Sequence, residues 1–134
     1  MIDPKLIDAY NLTEYHVFDP EIILRIGEHN PLLDSLLDQY HQQEWAFITA
    51  FNPQSVILPD DENKLWHERL IDAVINYKSF EGEGVGENPP WKPERSLLVI
   101  GISESKAMDI GKAFDQNAIV VGRIHSPAEL LLLR

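Results

Sequence analysis

An apolar run, interrupted only by Thr49, extends from Trp45 to Phe51 and breaks at Asn52-Pro53. It is too short to span a bilayer and is flanked by polar residues, which suits a buried strand. The residue before a proline is pushed towards extended or turn conformations, so the strand ends at Asn52. Thr49, Asn52, Gln54 and Ser55 gather at that break, and a helix restarts at Asp60. A strand end, a polar loop and a helix start together make a common binding-site arrangement.

Before this stretch, Pro4 to Asn11 reads as a short helix capped by Asp3, with Leu6, Ile7 and Tyr10 on one face. Glu14 to Phe18 and Ile22 to Ile26 are β-rich runs around Asp19-Pro20-Glu21, a hairpin signal. Asn30 caps a helix from Pro31 whose stripe is Leu33, Leu36, Leu37 and Tyr40. After the break, Asp61 to Lys78 predicts the clearest helix, with Trp66, Leu70, Ala73, Val74 and Tyr77 as its stripe. Asp60, Asp61 and Glu62 complement the dipole at its start.

The segment FEGEGVGENPPW reads as a frayed edge strand and an exposed loop. Arg95 to Ile102 and Ala118 to Gly122 are strands apolar on both faces. Between them Ser103 caps a helix to about Phe114, and Asp115-Gln116-Asn117 turns the chain. Ser126-Pro127-Ala128-Glu129 has the pattern of a capping box, so the final LLLLR reads as a stub of helix.

From Trp45 the order is strand, helix, strand, strand, helix, strand. That is the split βαβ order of a ferredoxin-like fold in the α+β class, in a single domain over residues 1–134. The last core strand then needs a cover, and the N-terminal hairpin extending the sheet is the expected one. A two- or three-layer α/β arrangement with a parallel core is the rival.

Composition narrows the function classes. The chain has 134 residues, 44% of them hydrophobic, which is enough for one core. Cysteine is absent, which excludes disulfides, thiolate metal sites and a cysteine nucleophile, and suits a reducing cytoplasm. No signal peptide is visible in MIDPKLIDAY, and no run approaches the length of a membrane span. The net charge of -11 disfavours nucleic acid and anionic membrane as partners. A cytoplasmic protein without a cofactor is the expectation.

The segment Phe47-Ile48-Thr49-Ala50-Phe51-Asn52-Pro53 with Ser55 and Asn63, then Gly82-x-Gly84, Trp91, Glu94, Ser96 and Gln116-Asn117-Ala118, resembles the bacterial domain-of-unknown-function family 3293. The resemblance extends over about Tyr15 to Gly122. It implies a small cytoplasmic bacterial protein and carries no activity, substrate or catalytic residue.

The candidate ligand-binding residues are Thr49, Asn52, Ser55, Asn63, Trp91, Glu94, Gln116 and Asn117. Each also has a plain structural reading. Asn52 and Ser55 suit a self-satisfied turn, Asn63 a helix cap, Thr49 a core hydroxyl, and Gln116-Asn117 a turn. Trp91 either shields the core or stacks on a ligand. Glu94 and Ser96 share a strand face as an acid and a hydroxyl for general acid–base work, or serve only in an ion pair of the carboxylate or a strand-edge hydrogen bond. The spacing of Gly82, Gly84 and Gly86, followed by Pro89-Pro90, is wrong for a phosphate loop. Glu81, Glu83, Glu87 and Glu94 read as a solvated acidic loop rather than a cation site. His16, His29, His41, His67 and His125 lack HxH or HxxxH spacing, so no metal site is expected, and His67 reads as a surface or half-buried residue.

The leading functional expectation is a binding or interaction module with a polar pocket near Thr49 to Ser55, taking a small polar ligand. The runner-up is a small hydrolase or transferase using Glu94 with Ser55 or Ser96. A homo-oligomer formed through the C-terminal leucines is the third.

Overall fold

Apolar runs that alternate with amphipathic helices must bury one face of each helix against a common layer. A computed structural model, which describes residues 2–87 and 92–134, provides that layer as one seven-stranded sheet. The elements are α1 (Pro4–Leu12), β1 (Glu14–Val17), β2 (Ile22–Leu24), α2 (Pro31–Gln39), β3 (Glu44–Thr49), a 3-10 turn (Pro53–Ser55), α3 (Asp60–Ala73), β4 (Lys78–Val85), β5 (Glu94–Ile100), α4 (Glu104–Ala113), β6 (Ala118–Arg123) and β7 (Glu129–Leu132). Their order across the sheet is β2-β1-β4-β5-β3-β6-β7. Every pairing of these strands is antiparallel, so the parallel-core alternative is wrong. Three polar side chains cap helices as the sequence predicts. Asp3 accepts from Lys5 N at 2.9 Å, Asn30 from Leu32 N and Leu33 N at 3.0 and 3.1 Å, and Ser103 from Lys106 N at 3.2 Å, while the acidic residues Asp60 to Glu62 fill the first turn of α3.

The sheet has two buried faces. On one, Ile48, Leu97, Val99 and Val121 pack against Leu70 of α3, Val74 at its C-terminal cap and Ala107 of α4. On the other, Trp45, Phe47, Leu98 and Val120 pack against Leu33, Leu36 and Leu37 of α2. Strands covered on both sides read as unbroken apolar runs, which is the pattern of β3, β5 and β6.

Three sequence expectations are corrected. The glycine-rich strand β4 is not an edge: it lies between β1 and β5. Glycine there is a close-approach device, because a Cβ on Gly82 would sit 2.1 Å from the carbonyl oxygen of His16 in β1. The N-terminal hairpin extends the sheet beyond β4 and does not cover β6. The cover of β6 is the C-terminal leucine run, which is strand and not helix: Ala118 pairs Leu132 and Val121 pairs Glu129. A four-residue helix has too costly a nucleus to stand alone, whereas the free edge of β6 supplies a ladder at once. Among the described residues no helix is long and apolar enough to cross a membrane.

Candidate functional site

Strands β3, β5 and β6 bring Thr49, Glu94 and Ala118 to the same end of the sheet, and α1 lies over that end. Between them is a cavity of about 520 Å³. Its apolar wall includes Leu6, Ala9, Phe47, Phe51 and Leu130, and its polar end holds Asn52, Ser55, Glu94 and Asn117.

The polar end is built from the break after β3. Thr49 Oγ1 donates to Arg95 O at 2.8 Å and accepts from Phe51 N at 3.1 Å, which fastens the strand end to β5. Asn52 then takes a left-handed conformation, with φ 47°, as do Gln54 and Ser55, with φ 58° and 60°. Asparagine tolerates this region better than most residues. Backbone bonds hold the turn: Gln54 N donates to Asp115 O at 2.8 Å and Ser55 N to Asn52 O at 2.8 Å.

Asn63, in the first turn of α3, faces this turn. Asn52 N donates to Asn63 Oδ1 at 2.8 Å, and Asn63 Nδ2 donates back to Asn52 Oδ1 at 2.8 Å. Leu58 N adds a second bond to Asn52 Oδ1 at 2.9 Å. The buried Asn52 amide is thus fixed, and its Nδ2 is aimed at Glu94 Oε2, 2.5 Å away. Burial pushes the Glu94 carboxyl up to about 7, although the Asn52 hydrogen bond favours the ionised form. Its Oε1 has no protein hydrogen-bond partner among the described residues.

A second polar group lies beside it. Tyr10 OH and Ser55 Oγ are 2.6 Å apart, and Asn117 Nδ2 donates to both, at 3.2 and 3.3 Å. Tyr15 OH donates to Tyr10 O at 2.7 Å, which ties α1 to the sheet, and burial raises the Tyr15 hydroxyl well above its usual range.

Of the sequence candidates, Thr49, Asn52, Ser55, Glu94, Gln116 and Asn117 all line the cavity. Asn63 stands behind Asn52 and serves as its brace. Gln116 donates to Phe51 O and Phe114 O at 3.2 and 3.3 Å, supporting the loop. Ser96 Oγ donates to the carbonyl of Glu94 at 2.9 Å. Trp91 lies outside the described residues.

Sequence reasoning missed Tyr10, whose hydroxyl is invisible in a pattern that reads it as a stripe residue. It also misplaced His67, which is fully buried and not a surface residue. His67 Nε2 lies 2.9 Å from Glu81 Oε1, to which Arg95 Nη2 donates at 3.1 Å, and its ring abuts Phe51. Glu81 therefore belongs to an ion-pair network on the α3 face, while Glu94 faces the cavity. The two carboxylates do not form one cluster.

A sequence profile for the family described as Protein of unknown function (DUF3293) matches residues 48–119. No curated protein and no solved structure matches the chain.

Proposed function

The chain belongs to that family of unknown function, and from the cavity we propose that it is a binding module for a small molecule with an apolar body and an amine or amide head. The observation that carries this reading is a buried carboxyl, Glu94, held by Asn52 at the polar end of a mostly apolar cavity whose other charged lining residues are Lys5, Glu87 and Lys92. Pockets of this size with few, fixed polar groups are the usual form of small-molecule sites. Oε1, unpaired among the described residues, would accept from an N–H donor of the ligand, and the Tyr10, Ser55 and Asn117 group supplies further donors and acceptors. Above pH about 7, where Glu94 is mostly ionised, an amine is its charge complement and a carboxylate ligand would meet it as a like charge. The strand order β4-β5-β3-β6, with β5 inserted between β4 and β3, supports reading the frame as a ferredoxin-like core within a single domain.

The second reading, an acid–base enzyme, is favoured by one observation: a carboxyl titrating at about 7 suits proton transfer at neutral pH. Against a serine nucleophile, Ser55 is engaged by Tyr10 and Asn117, and Ser96 by the backbone of Glu94. Neither hydroxyl is paired with a base, so binding ranks first.

The test is a thermal-shift and calorimetric screen of aryl and alkyl amines and amides against matched carboxylates. Amines and amides should bind saturably and carboxylates should not. Ala9→Phe, which fills the cavity from α1, should abolish binding, and Glu94→Gln should weaken amines at least tenfold. Ligands that bind both variants as tightly as the parent chain would refute the reading.

A further inference from the structure

His29 and Asp34, from the start of α2, meet His125, from the turn after β6, near the protein surface. We propose that His29, Asp34 and His125 form a binding site for one divalent transition metal ion of the zinc type. His29 lies in the loop before α2, Asp34 in the first turn of α2, and His125 in the turn between β6 and β7. One ligand atom from each falls within 4.8 Å of the others. Two imidazoles and a carboxylate are the donor set of an open zinc site.

The geometry is close to that of a loaded site. His29 Nε2 and His125 Nδ1 both face Asp34 Oδ2, the latter at 3.2 Å. Around a tetrahedral ion with bonds of about 2.0–2.1 Å, neighbouring ligand atoms stand about 3.3 Å apart. The His125–Asp34 edge already has that length, and His29, which contacts the same oxygen, draws back to admit the ion. The other carboxylate oxygen, Oδ1, accepts from His125 N at 3.0 Å, so Asp34 offers a single oriented oxygen.

The segments that carry the donors are fixed without a metal. Gly27 N donates to Ala128 O at 2.8 Å and Ala128 N to Glu28 O at 3.1 Å, pinning the loop to the turn. Asn30 caps α2 and also donates to Ile23 O at 3.0 Å. His125 is held at φ 66°, a conformation that non-glycine residues seldom adopt, with its backbone N–H on Asp34. Both histidines are exposed on their outer sides, which leaves an entry path and room for water at the remaining coordination positions.

The experiment uses the full chain without an affinity tag. Cobalt(II) is added first as a coloured probe, then zinc(II) by calorimetry. One equivalent of cobalt should give visible ligand-field absorption that zinc displaces, and zinc should raise the melting temperature. His29→Ala and His125→Ala, both at exposed side chains, should each weaken zinc at least tenfold, and Asp34→Asn should do the same while keeping an acceptor for His125 N. Failure of the parent chain to bind either ion saturably at one equivalent would overturn the site. So would binding that survives unchanged in the double variant His29→Ala, His125→Ala. None of these residues lines the cavity, so the outcome is independent of the small-molecule screen.

Discussion

Asn52 and Asn63 hold each other through two reciprocal 2.8 Å hydrogen bonds, one of which satisfies the buried backbone N–H of Asn52. Asn63→Ala removes the acceptor and leaves that N–H without its partner. An unsatisfied buried donor costs about 1–3 kcal/mol, and chemical denaturation of the variant should show a loss in that range. A loss under about 0.5 kcal/mol would mean that water replaces the Asn63 amide without penalty.

Glu94 gives the chain a pH dependence of definite sign. Its carboxyl titrates at about 7 in the folded chain against an ordinary 4.5, so between these values the folded state binds more protons than the unfolded state. Its contribution to stability is complete below 4.5 and is lost as pH rises through about 7. The total is about 3 kcal/mol. Urea denaturation of Glu94→Gln and the parent chain from pH 4 to 8 should diverge by about that amount, with the variant the more stable at the alkaline end. Parallel pH profiles would show that Glu94 is solvated.

Leu70 is completely buried between α3 and the sheet. Leu70→Ala should therefore lower stability by about 2–5 kcal/mol. A loss below about 1 kcal/mol would place the side chain outside the core.

Gly82 and Gly84 occupy the same strand but differ in what surrounds them. An added Cβ on Gly82 meets the His16 carbonyl at 2.1 Å, whereas on Gly84 its nearest neighbour is Thr13 Cγ2 at 3.7 Å. Gly82→Ala should cost about 1–3 kcal/mol or more, by forcing β1 away from β4, and Gly84→Ala should stay within about 1 kcal/mol of the parent. Amide exchange in β1 should accelerate only in the first variant. Equal effects would remove the close-approach explanation.

Much of the site was legible because its signals are local. The proline after Asn52 ends β3, the apolar run buries it, and a short loop returns the chain to α3, which is what brings Asn52 and Asn63 together. What escaped was non-local. The strand conformation of Glu129–Leu132 is decided by the free edge of β6 and not by its own capping pattern. The burial of His67 depends on Glu81, fourteen residues away on another element. The meeting of His29 and Asp34 with His125 spans most of the chain, and no spacing rule reaches that far. Read from the sequence, Asn52 is either a ligand-binding residue or part of a self-satisfied turn. In the fold Asn52 is both, since one amide braces the loop and orients Glu94. That substitution therefore affects stability and binding together, and Ala9→Phe is the cleaner probe.

The roof of the cavity is α1, which precedes the stretch matched by the family profile, while Thr49, Asn52, Ser55, Glu94 and Asn117 of the floor all fall inside it. The carboxyl and amide groups are therefore written in one part of the polypeptide and the roof in another, with α1 adding the Tyr10 hydroxyl to the polar end. Exchanging Leu6 or Ala9 re-tailors the outline that the cavity admits, and the amide lock beneath Glu94 is left intact. Selectivity can drift along one helix while the acid it serves stays put.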